Sequence, residues 1–588
     1  MRFLGNVLAV IVGLIIFTVI SILVSFGIIG MIATSGQEEV SVAENTILHL
    51  NLNGRTIVER TNEDDLDIPI FGAAFGQSNA AGLVNLKKAI EEAKNNESIK
   101  GIYLNTGLIM AGQANLLELR EALEDFKTSG KFILAYDEAY SEGGYYLASI
   151  ADEIYLNPMG GIEFNGFASN ILFFTGLFEK IGVKPEVFRV GEFKSAVEPF
   201  ILTQMSEENR LQTQAFLSDM NQYALSDIAE SRGINVDTLT QTNNKMLVRE
   251  PEDAVTYNLI TALAYEDEIH AKLREKLGLG EDDEIQTINA TKLASVAKTK
   301  NIATSNRIAV ILAEGEIVDG NADGVISSEK FAKEIRKARK DDNIKAIVLR
   351  VNSPGGSVLA SEVIWREMTE AKKAKPLFVS MGEVAASGGY YISAPADTIV
   401  AQPNTITGSI GIFGLWFNTE NLLNEKLGIT TDAVETGEFS DFMNPTEQLT
   451  DVERSIIQKS VEKGYETFIS RVSEGRGISP DAVKEVASGR VWTGNQALEI
   501  GLVDVLGSLD DTIELAAQRI NAGDDYRVIY YPSQKPWFET IMNDFENNVK
   551  IKFLQSELGD NFQFYKQIQS LKKYQGIQVR MPQEYIIK

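Results

Sequence analysis

Apolar residues along this chain follow two spacings, one typical of β-strands and one typical of amphipathic helices. The first series predicts strands at residues 45–51, 101–105 and 132–136, with helices at 83–95 and 115–129. The second series predicts strands at 308–313, 346–351 and 377–381, helices at 327–340 and 359–373, and long helices at 207–232 and 450–475 close the two series. Strands that alternate with helices in this way predict an α/β fold with mostly parallel pairing.

The two series are copies of one sequence, 245 positions apart. Glu-Gly-Gly-Tyr-Tyr beginning at Glu142 matches Ser-Gly-Gly-Tyr-Tyr beginning at Ser387. At an offset longer by one residue, Gly-Glu-Phe-Lys, which ends at Lys194, matches Gly-Glu-Phe-Ser, which ends at Ser440. The second copy therefore has a serine where the first has a glutamate, and the first has a lysine where the second has a serine. Such a repeat fixes the architecture before single elements are assigned.

A chain of 588 residues is too long for one hydrophobic core, so at least two domains are expected. We predict five parts: a membrane anchor at residues 3–33, a repeat that carries the lysine at 45–277, a polar linker at 278–306, a repeat that carries the serine at 307–523, and a C-terminal extension at 524–588. The extension has no predicted counterpart in the first copy.

The predicted anchor at residues 3–33 is almost entirely apolar, and about 20 such residues suffice to span a bilayer. The stretch is longer than the apolar region of a secretory signal, and no convincing cleavage site follows it. Arg2 precedes it, which favours a cytoplasmic N-terminus with the bulk of the chain across the membrane. In the extension, the amphipathic stretch at 537–554 predicts either an interfacial or oligomer-packing helix, or a helix that packs on the second repeat.

Composition narrows the possible chemistry. The formal net charge of −27 argues against nucleic-acid binding, because phosphates would be repelled. The chain has no cysteine, which rules out thiol catalysis, thiolate metal sites and disulfides. Its two histidines, His49 and His270, lie in no recognisable motif. A Ser-His-Asp triad and histidine-rich metal chemistry are therefore both disfavoured.

Two glycine-rich segments in the second copy are candidates for an oxyanion site. In the first, Gly355 and Gly356 follow a strand and allow backbone amides to point at one spot. In the second, Ser387 stands among small residues at the start of a helix, where its Oγ and the Gly388 amide would be accessible. Each segment also fits an ordinary turn or helix cap, so neither is diagnostic alone.

Lys194 is the base candidate that the repeat comparison singles out. A lysine is ordinarily a solvated surface charge, and with a pKa near 10.4 almost none of its amine is neutral at neutral pH. Burial against apolar walls lowers that pKa and would supply a neutral amine able to take the Ser387 Oγ proton. Because both histidines lie outside any motif, Lys194 is the only well-placed base that the sequence offers.

Five segments together resemble the long, duplicated form of the signal peptide peptidase A family. They begin at Arg189, Asn352, Ala385, Thr407 and Gly489 and read RVGEFKSAVEPF, NSPGG, AASGGY, TGSIG and GRVWTG. Each segment is weak alone, and their combination is specific. The resemblance runs from the apolar N-terminus to about Gly507. It implies tandem domains of the Clp-peptidase/crotonase-like fold and the activity of a serine–lysine peptidase.

The resemblance also implies a role for each matching residue. Ser387 would be the nucleophile, Lys194 the general base, and Ser409 the hydroxyl that orients the lysine. For Ser409, a turn hydroxyl that satisfies backbone groups is the open alternative. The implied oxyanion donors are the amides of Gly355, Gly356 and Gly388. No cofactor and no metal is expected.

Members of the family are membrane-anchored and oligomeric, and they cut signal peptides already released from preproteins. The resemblance thus implies hydrophobic peptides as substrates, a homo-oligomer, and a bacterial inner membrane with the catalytic bulk on the periplasmic side. Whether Ser387 and Lys194 meet within one chain or between chains is open at this point. A non-catalytic membrane-tethered peptide-binding scaffold and a crotonase-type acyl-CoA enzyme are the alternatives, although neither explains a serine and a lysine divided between two copies.

Overall fold

The computed structural model describes residues 13–14, 16–17, 20, 42–61, 79–297, 303–533 and 576–581. The predicted anchor at 3–33 lies almost wholly outside the described residues, and the amphipathic stretch at 537–554 lies wholly outside them. In the part of the chain that is described, no helix combines the length and the apolar character needed to cross a bilayer.

The N-terminal repeat is built on a parallel six-stranded sheet with the order β8-β6-β5-β4-β1-β9. The strands of this half are β1 (Thr46–Asn51), β2 (Thr56–Val58), β3 (Ala80–Gly82), β4 (Ile99–Asn105), β5 (Phe132–Tyr140), β6 (Glu153–Ile162), β7 (Lys184–Val190), β8 (Ala262–Leu263) and β9 (Thr287–Asn289). The helices are α1 (Leu83–Asn95), α2 (Gln113–Lys127), α3 (Glu142–Ala148), α4 (Thr175–Ile181), α5 (Glu198–Ile201), α6 (Glu207–Arg232), α7 (Val236–Asn244), α8 (Pro251–Thr256), α9 (Glu266–Leu277) and α10 (Ala290–Val296), with a 3₁₀ turn at Ser195–Val197.

The C-terminal repeat has the sheet order β19-β17-β15-β13-β10-β21, with β16 beside β15 and β20 beside β16. The strands are β10 (Arg307–Glu314), β11 (Ile317–Val318), β12 (Ile326–Ser327), β13 (Ile344–Ser353), β14 (Gly355–Ser357), β15 (Leu377–Ala386), β16 (Thr398–Ala401), β17 (Ile406–Gly408), β18 (Ile412–Asn418), β19 (Val491–Thr493), β20 (Val505–Leu506), β21 (Arg527–Tyr531) and β22 (Gly576–Arg580). The helices are α11 (Ser328–Lys340), α12 (Val358–Ala374), α13 (Gly388–Ser393), α14 (Asp451–Arg476), α15 (Pro480–Val486), α16 (Gly494–Glu499) and α17 (Leu509–Arg519), with a π-helix at Leu422–Leu427. All pairs in this sheet are parallel except β17 with β19.

Both central sheets are buried on their two faces. On β4, Ile102 and Leu104 pack into the main core of the N-terminal repeat, while Tyr103 between them packs under helix α9. On β13, Leu349 and Val348 are divided in the same way between two cores. Burial on both faces explains the nearly continuous apolar runs in the sequence. The predicted α/β fold with duplicated domains is confirmed.

A third sheet joins the repeats and includes the C-terminal strand, in the order β12-β11-β14-β22-β18-β7. Strand β7 comes from the N-terminal repeat and pairs antiparallel with β18 over its whole length. Strand β22 lies between β14 and β18 and is antiparallel to both. The N-terminal repeat thus extends an arm, which consists of β7 and the turn after it, into the C-terminal repeat. This arm carries Lys194.

Two predicted segments have a different place in the fold. The linker predicted at 278–306 contributes β9 and α10 to the N-terminal repeat, and Leu293 on α10 is fully buried. The prediction was wrong there because a short polar edge strand gives almost no hydrophobic pattern. Residues 527–531 of the predicted extension form β21 beside β10, where β9 lies beside β1, so the extension does have a counterpart. The outer limits of the other domains stay predictions.

Candidate active site

The arm from the N-terminal repeat brings Lys194 to the serine of the C-terminal repeat within one chain. Lys194 follows β7 after a tight turn, in which the Phe193 amide donates to the Ser488 carbonyl at 3.0 Å. Gly489 makes this approach possible, because a Cβ there would lie 2.6 Å from the Lys194 backbone nitrogen. The φ angle of Gly489 is +81°, a conformation that favours glycine.

The Lys194 amine faces three oxygen atoms. Its Nζ lies 2.8 Å from Ser387 Oγ, and it donates to Ser409 Oγ at 3.0 Å and to the Ser409 carbonyl at 3.0 Å. All three side chains are fully buried. The structure therefore brings together the three side chains that sequence motifs singled out, and their catalytic roles stay predictions.

Burial lowers the pKa of the Lys194 amine well below its ordinary value. The cause is desolvation, since a charged ammonium would lose its hydration in this place. Within the described residues, Lys194 is not in a salt bridge with any carboxylate that would favour the charged form. A neutral amine 2.8 Å from a hydroxyl can act as a general base toward that hydroxyl.

Ser387 has a backbone conformation that few residues other than glycine adopt. Its φ is +56° and its ψ is −110°, at the junction between strand β15 and helix α13. The Ser387 amide donates to the Gly408 carbonyl at 2.8 Å, which holds this junction in place. Such strain is typical of functional positions, where it aims a side chain at one spot. The Gly388 amide opens α13 beside Ser387, and the first amides of a helix have no acceptor within it.

The Gly355–Gly356 turn lies directly beside Gly388. Their φ angles are +98° and +156°, and a Cβ on Gly355 would lie 2.7 Å from the Gly388 nitrogen. The Gly355 amide donates to Ser353 Oγ at 3.2 Å, so it has an acceptor within the turn. The amides of Gly356 and Gly388 stay predicted oxyanion donors.

Strand β22 lies along this turn. Gly356 pairs with Val579, and the Met581 amide donates to the Pro354 carbonyl at 2.6 Å. The Val579 carbonyl oxygen would be 2.1 Å from a Cβ on Gly355 and 3.0 Å from one on Gly388. The backbone of an extended strand is thus packed directly against Gly355 and Gly388. Sequence analysis did not detect this strand, because its pairing partners lie far away along the chain.

A buried polar network behind Lys194 is a second feature that sequence analysis missed. Ser195 Oγ donates to Asn209 Oδ1 at 3.0 Å, and Asn209 Nδ2 donates to Glu198 Oε2 at 2.9 Å. Gln212 Nε2 donates to the Phe193 carbonyl at 3.2 Å, and its Oε1 accepts from the Val491 amide at 3.1 Å. The network connects the lysine turn to helix α6 and to the C-terminal repeat. Its only signal in the sequence is a pair of polar residues, three apart, on the buried side of a helix.

Replacing Asn209 by alanine is expected to lower kcat about 10- to 100-fold with little change in KM. The substitution leaves Glu198 and Ser195 without their shared partner, so the turn that positions Lys194 loosens, and displacement of a catalytic group by about 1 Å costs roughly 100-fold. Steady-state kinetics on an apolar peptide measure the effect. Gln214→Ala, on the exposed side of the same helix, is the matched control and should change neither constant. An unchanged kcat for Asn209→Ala would contradict the positioning role.

The place in the N-terminal repeat that corresponds to the Ser-Lys pair holds other residues. Glu142 occupies the position of Ser387, and its Oε1 accepts from the Gly166 amide at 3.1 Å and from Asn243 Nδ2 at 2.8 Å. Burial raises the pKa of Glu142. Ser440, the counterpart of Lys194, lies in an exposed segment and donates to the Gly437 carbonyl. Within the described residues, the Ser-Lys pair therefore forms at only one of the two corresponding places, in the C-terminal repeat.

Comparison with known sequences agrees with this geometry. The profile of Peptidase family S49 matches residues 125–280 and 369–523, one stretch in each repeat. The chain belongs to peptidase family S49. The Clp protease profile matches residues 299–406, which include Ser387 and the glycine turn. As a family S49 member, the chain is a serine-type peptidase, and the acyl-CoA enzyme and the inert scaffold are disfavoured.

Three relatives match this chain over most of its length. "Protease 4" of Salmonella typhi is 36% identical over 553 residues, which cover 91% of this chain and 88% of the relative. "Protease 4" of Haemophilus influenzae is 38% identical, with 75% of this chain and 73% of the relative covered. "Serine protease SPPA, chloroplastic" of Arabidopsis thaliana is 33% identical, with 75% and 66% covered.

Proposed function

We propose that this family S49 peptidase is anchored in a membrane and cleaves hydrophobic peptides, released signal peptides among them, with Ser387 as nucleophile and Lys194 as general base. The observation that carries the proposal is the 2.8 Å contact between a fully buried lysine amine and the Ser387 hydroxyl. The Ser409 hydroxyl and carbonyl accept from the same amine and fix its direction.

In the first half of the proposed reaction, the neutral Lys194 amine takes the Ser387 Oγ proton as Oγ attacks the peptide carbonyl carbon. The carbonyl oxygen becomes an oxyanion that the amides of Gly356 and Gly388 stabilise, and each such donor contributes about 3–4 kcal/mol in a known protease. The C–N bond then breaks, and the Lys194 ammonium returns its proton to the leaving amine. An ester between Ser387 and the peptide remains.

In the second half, a water molecule replaces the leaving amine. Lys194 takes a proton from this water, whose oxygen attacks the ester carbonyl, and the second oxyanion forms at the same two amides. The C–O bond to Ser387 breaks, and the proton passes from Lys194 to Ser387 Oγ. The enzyme returns to its starting state without a cofactor.

Strand β22 supports the peptide as substrate class, because it shows how an extended chain fits between β14 and β18. A peptide that adds to exposed strand edges gains backbone hydrogen bonds, while pockets select its side chains. Met581 lies in an apolar pocket with Phe216, Met220 and Ile406, and Ala386 beside the nucleophile belongs to the same cluster. A groove of this kind favours apolar side chains next to the cleaved bond.

The membrane setting is supported by the sequence of residues 3–33, which is long and apolar enough to span a bilayer. A tether places the groove close to peptides that leave the bilayer. With a cytoplasmic N-terminus, the peptidase repeats lie on the periplasmic side of a bacterial inner membrane. Extraction at alkaline pH is expected to leave the full chain in the membrane pellet, and to release a chain that begins at residue 42.

The substrate class is tested with two matched fluorogenic peptides that differ at one position beside the cleaved bond, leucine in one and aspartate in the other. The full chain in mild detergent should cleave the leucine peptide with a kcat/KM at least about tenfold higher, since burying one such side chain is worth about 1.5–3 kcal/mol. Equal rates for both peptides would contradict an apolar groove. No cleavage of either peptide by the folded protein would contradict the peptidase assignment itself.

The pH dependence of kcat/KM should follow the neutral form of Lys194. Burial lowers its pKa, so activity is expected to be lost as pH falls through a value well below 10.5 and to level off above it. Lys194→Arg keeps a permanent charge in this place and should be inactive at every pH. A profile that is flat across neutral and acidic pH would contradict an amine base.

A further inference from the structure

Strand β15 has Ser387 directly after its end and makes a contact with the N-terminal repeat four residues earlier, at Glu383. The Glu383 carboxylate reaches helix α2 of the N-terminal repeat, where it accepts from the amides of Ala114 at 3.2 Å and Asn115 at 3.0 Å. The repeat that supplies Lys194 therefore also holds the strand that supplies the nucleophile.

Glu383 serves as the N-terminal cap of α2. The helix begins after Gly112, which provides no side-chain cap, and its first turn contains no acidic residue. The first amides of a helix lack acceptors within it and carry a partial positive charge, so a carboxylate is a favourable acceptor for them. In α2 this acceptor comes from the other repeat.

Gly112 provides the space in which this carboxylate lies. A Cβ on Gly112 would be 2.0 Å from Glu383 Oε2 and 2.6 Å from Oε1. The φ of Gly112 is −80° and its ψ is 168°, which is an extended conformation open to any residue. The backbone therefore does not require glycine at this position. The carboxylate of the other repeat requires it.

Further contacts at the end of β15 come from within the C-terminal repeat. The Val384 amide donates to Asn352 Oδ1 at 3.3 Å, and the Ser387 amide donates to the Gly408 carbonyl at 2.8 Å. These bonds fix the end of the strand relative to its own sheet. Glu383 instead fixes it relative to the N-terminal repeat, and the distance between the lysine amine and the serine hydroxyl depends on that relation.

We propose that Glu383 is a positioning residue for the Ser387–Lys194 pair, and that its ionised carboxylate, by capping α2, holds Ser387 Oγ within reach of the lysine amine. This inference rests on the proposed peptidase function. When Glu383 is protonated, one of its oxygens becomes a donor and no longer accepts from an amide, so the cap weakens. The end of β15 then shifts relative to the N-terminal repeat, and transfer of the Oγ proton becomes slower.

The ionisation of Glu383 falls in the neutral range. Burial raises its pKa to about 7, the two α2 amides lower it, and the charged groups that face it are Glu59, which raises it, and Arg350, which lowers it. Two other carboxyls at the contact between the repeats, those of Glu121 and Glu314, also have a pKa raised to about 7 by burial. Neither of them lies on β15, so they are matched controls.

Glu383→Gln is expected to lower kcat about tenfold on the alkaline side of neutral pH with little change in KM, since a displacement of about 1 Å costs roughly 100-fold. The measurement is the ratio of native to variant kcat on a fluorogenic apolar peptide at each pH, in which the ionisation of Lys194 cancels. The ratio should rise from near one to its full value as pH increases through about 7, where Glu383 ionises. Rates are expressed per active site, counted by the fluorophosphonate bound at completion.

The controls Glu121→Gln and Glu314→Gln should give a ratio near one at every pH. Each keeps an oxygen that can accept, from Gln402 in the first case and from the Glu59 amide in the second. A ratio for Glu383→Gln that does not change with pH, whatever its size, would overturn the positioning role and leave the peptidase assignment intact. No cleavage by the native chain would overturn the proposed function, and this inference with it.

Gly112→Ala tests the same contact from the other repeat. The added methyl group displaces the carboxylate and should lower kcat about tenfold on the alkaline side of neutral pH, again with little change in KM. In a Glu383→Ala background the same substitution should cost nothing further, because the methyl group then has no carboxylate to displace. An equal loss with and without Glu383 would contradict the proposed role.

Discussion

Replacing Ser387 or Lys194 by alanine is expected to lower kcat by roughly 10⁴-fold or more without unfolding the protein. The two residues act as one unit, so the double variant should be no worse than either single variant. Lys194→Ala removes the buried amine beside the nucleophile, and Ser387→Ala removes the attacking oxygen. Turnover of a fluorogenic apolar peptide measures the loss, and thermal unfolding checks that the fold is retained.

The duplication provides matched controls for this experiment. Glu142→Ala changes the residue that takes the place of Ser387, and Ser440→Ala changes the residue that takes the place of Lys194. Both should keep nearly full turnover, because neither residue touches the Ser-Lys pair. The turnover of Ser409→Ala should lie between that of these controls and that of Lys194→Ala, since the Ser409 carbonyl still accepts from the lysine amine. Full activity of Lys194→Ala would contradict the Ser387–Lys194 dyad, although the chain would still be a peptidase.

The second large effect is expected on stability, at Arg350. This fully buried guanidinium bonds to Glu59 at 2.9 Å and to Glu118 at 2.6 Å, both from the N-terminal repeat, and it also donates to Ser380 Oγ at 3.0 Å. Burial alone would raise the pKa of Glu118, but Arg350 and Lys87 hold it below its ordinary value. Arg350→Met removes the salt-bridge cation of buried Glu59 and leaves Glu118 with Lys87 alone, and breaking such a buried pair costs about 3–5 kcal/mol.

Thermal unfolding of Arg350→Met should show a loss of at least about 6 °C in the midpoint, given about 2–4 °C per kcal/mol for domains of this size. Lys484→Met is the control, because it breaks only the exposed pair with Glu466 and should change stability by less than about 1 kcal/mol. Changing Glu59 and Glu118 to leucine in the Arg350→Met background should recover much of the loss. A midpoint for Arg350→Met equal to that of the native protein would show that the repeats are held together elsewhere.

The central sheets could be predicted from the sequence because their signal is local. Helix α1 begins and ends at the predicted residues, Leu83 and Asn95, and α6 spans the predicted 207–232. Strands that are buried on both faces appear in the sequence as apolar runs, so they can be predicted without knowing which strands they pair with. By contrast, β9 is a three-residue edge strand with one buried side chain, and nothing local separates it from a linker.

The residues of the site could be predicted from the sequence, but the way in which the fold brings them together could not. The exchange of serine and lysine between the copies named Ser387 and Lys194, and the scarcity of histidine favoured an amine base. That the two meet within one chain depends on the pairing of β7 with β18, which joins residues far apart in sequence. Likewise, Asn209 and Gln212 could not be distinguished from solvated helix residues, because their importance comes from the buried turn that they hold. Contacts between segments that lie far apart in the sequence produce no local hydrophobic periodicity from which they could be predicted.

The most direct test is the rate at which a fluorophosphonate labels the full-length chain, followed by peptide mapping. We expect one labelled residue, Ser387, a labelling rate that rises with pH through a value well below 10.5, and a rate for Lys194→Met lower by at least about 10³-fold. Label on any other residue, or Ser387 labelled as fast in Lys194→Met as in the native protein, would contradict an uncharged lysine amine as the base that activates this serine.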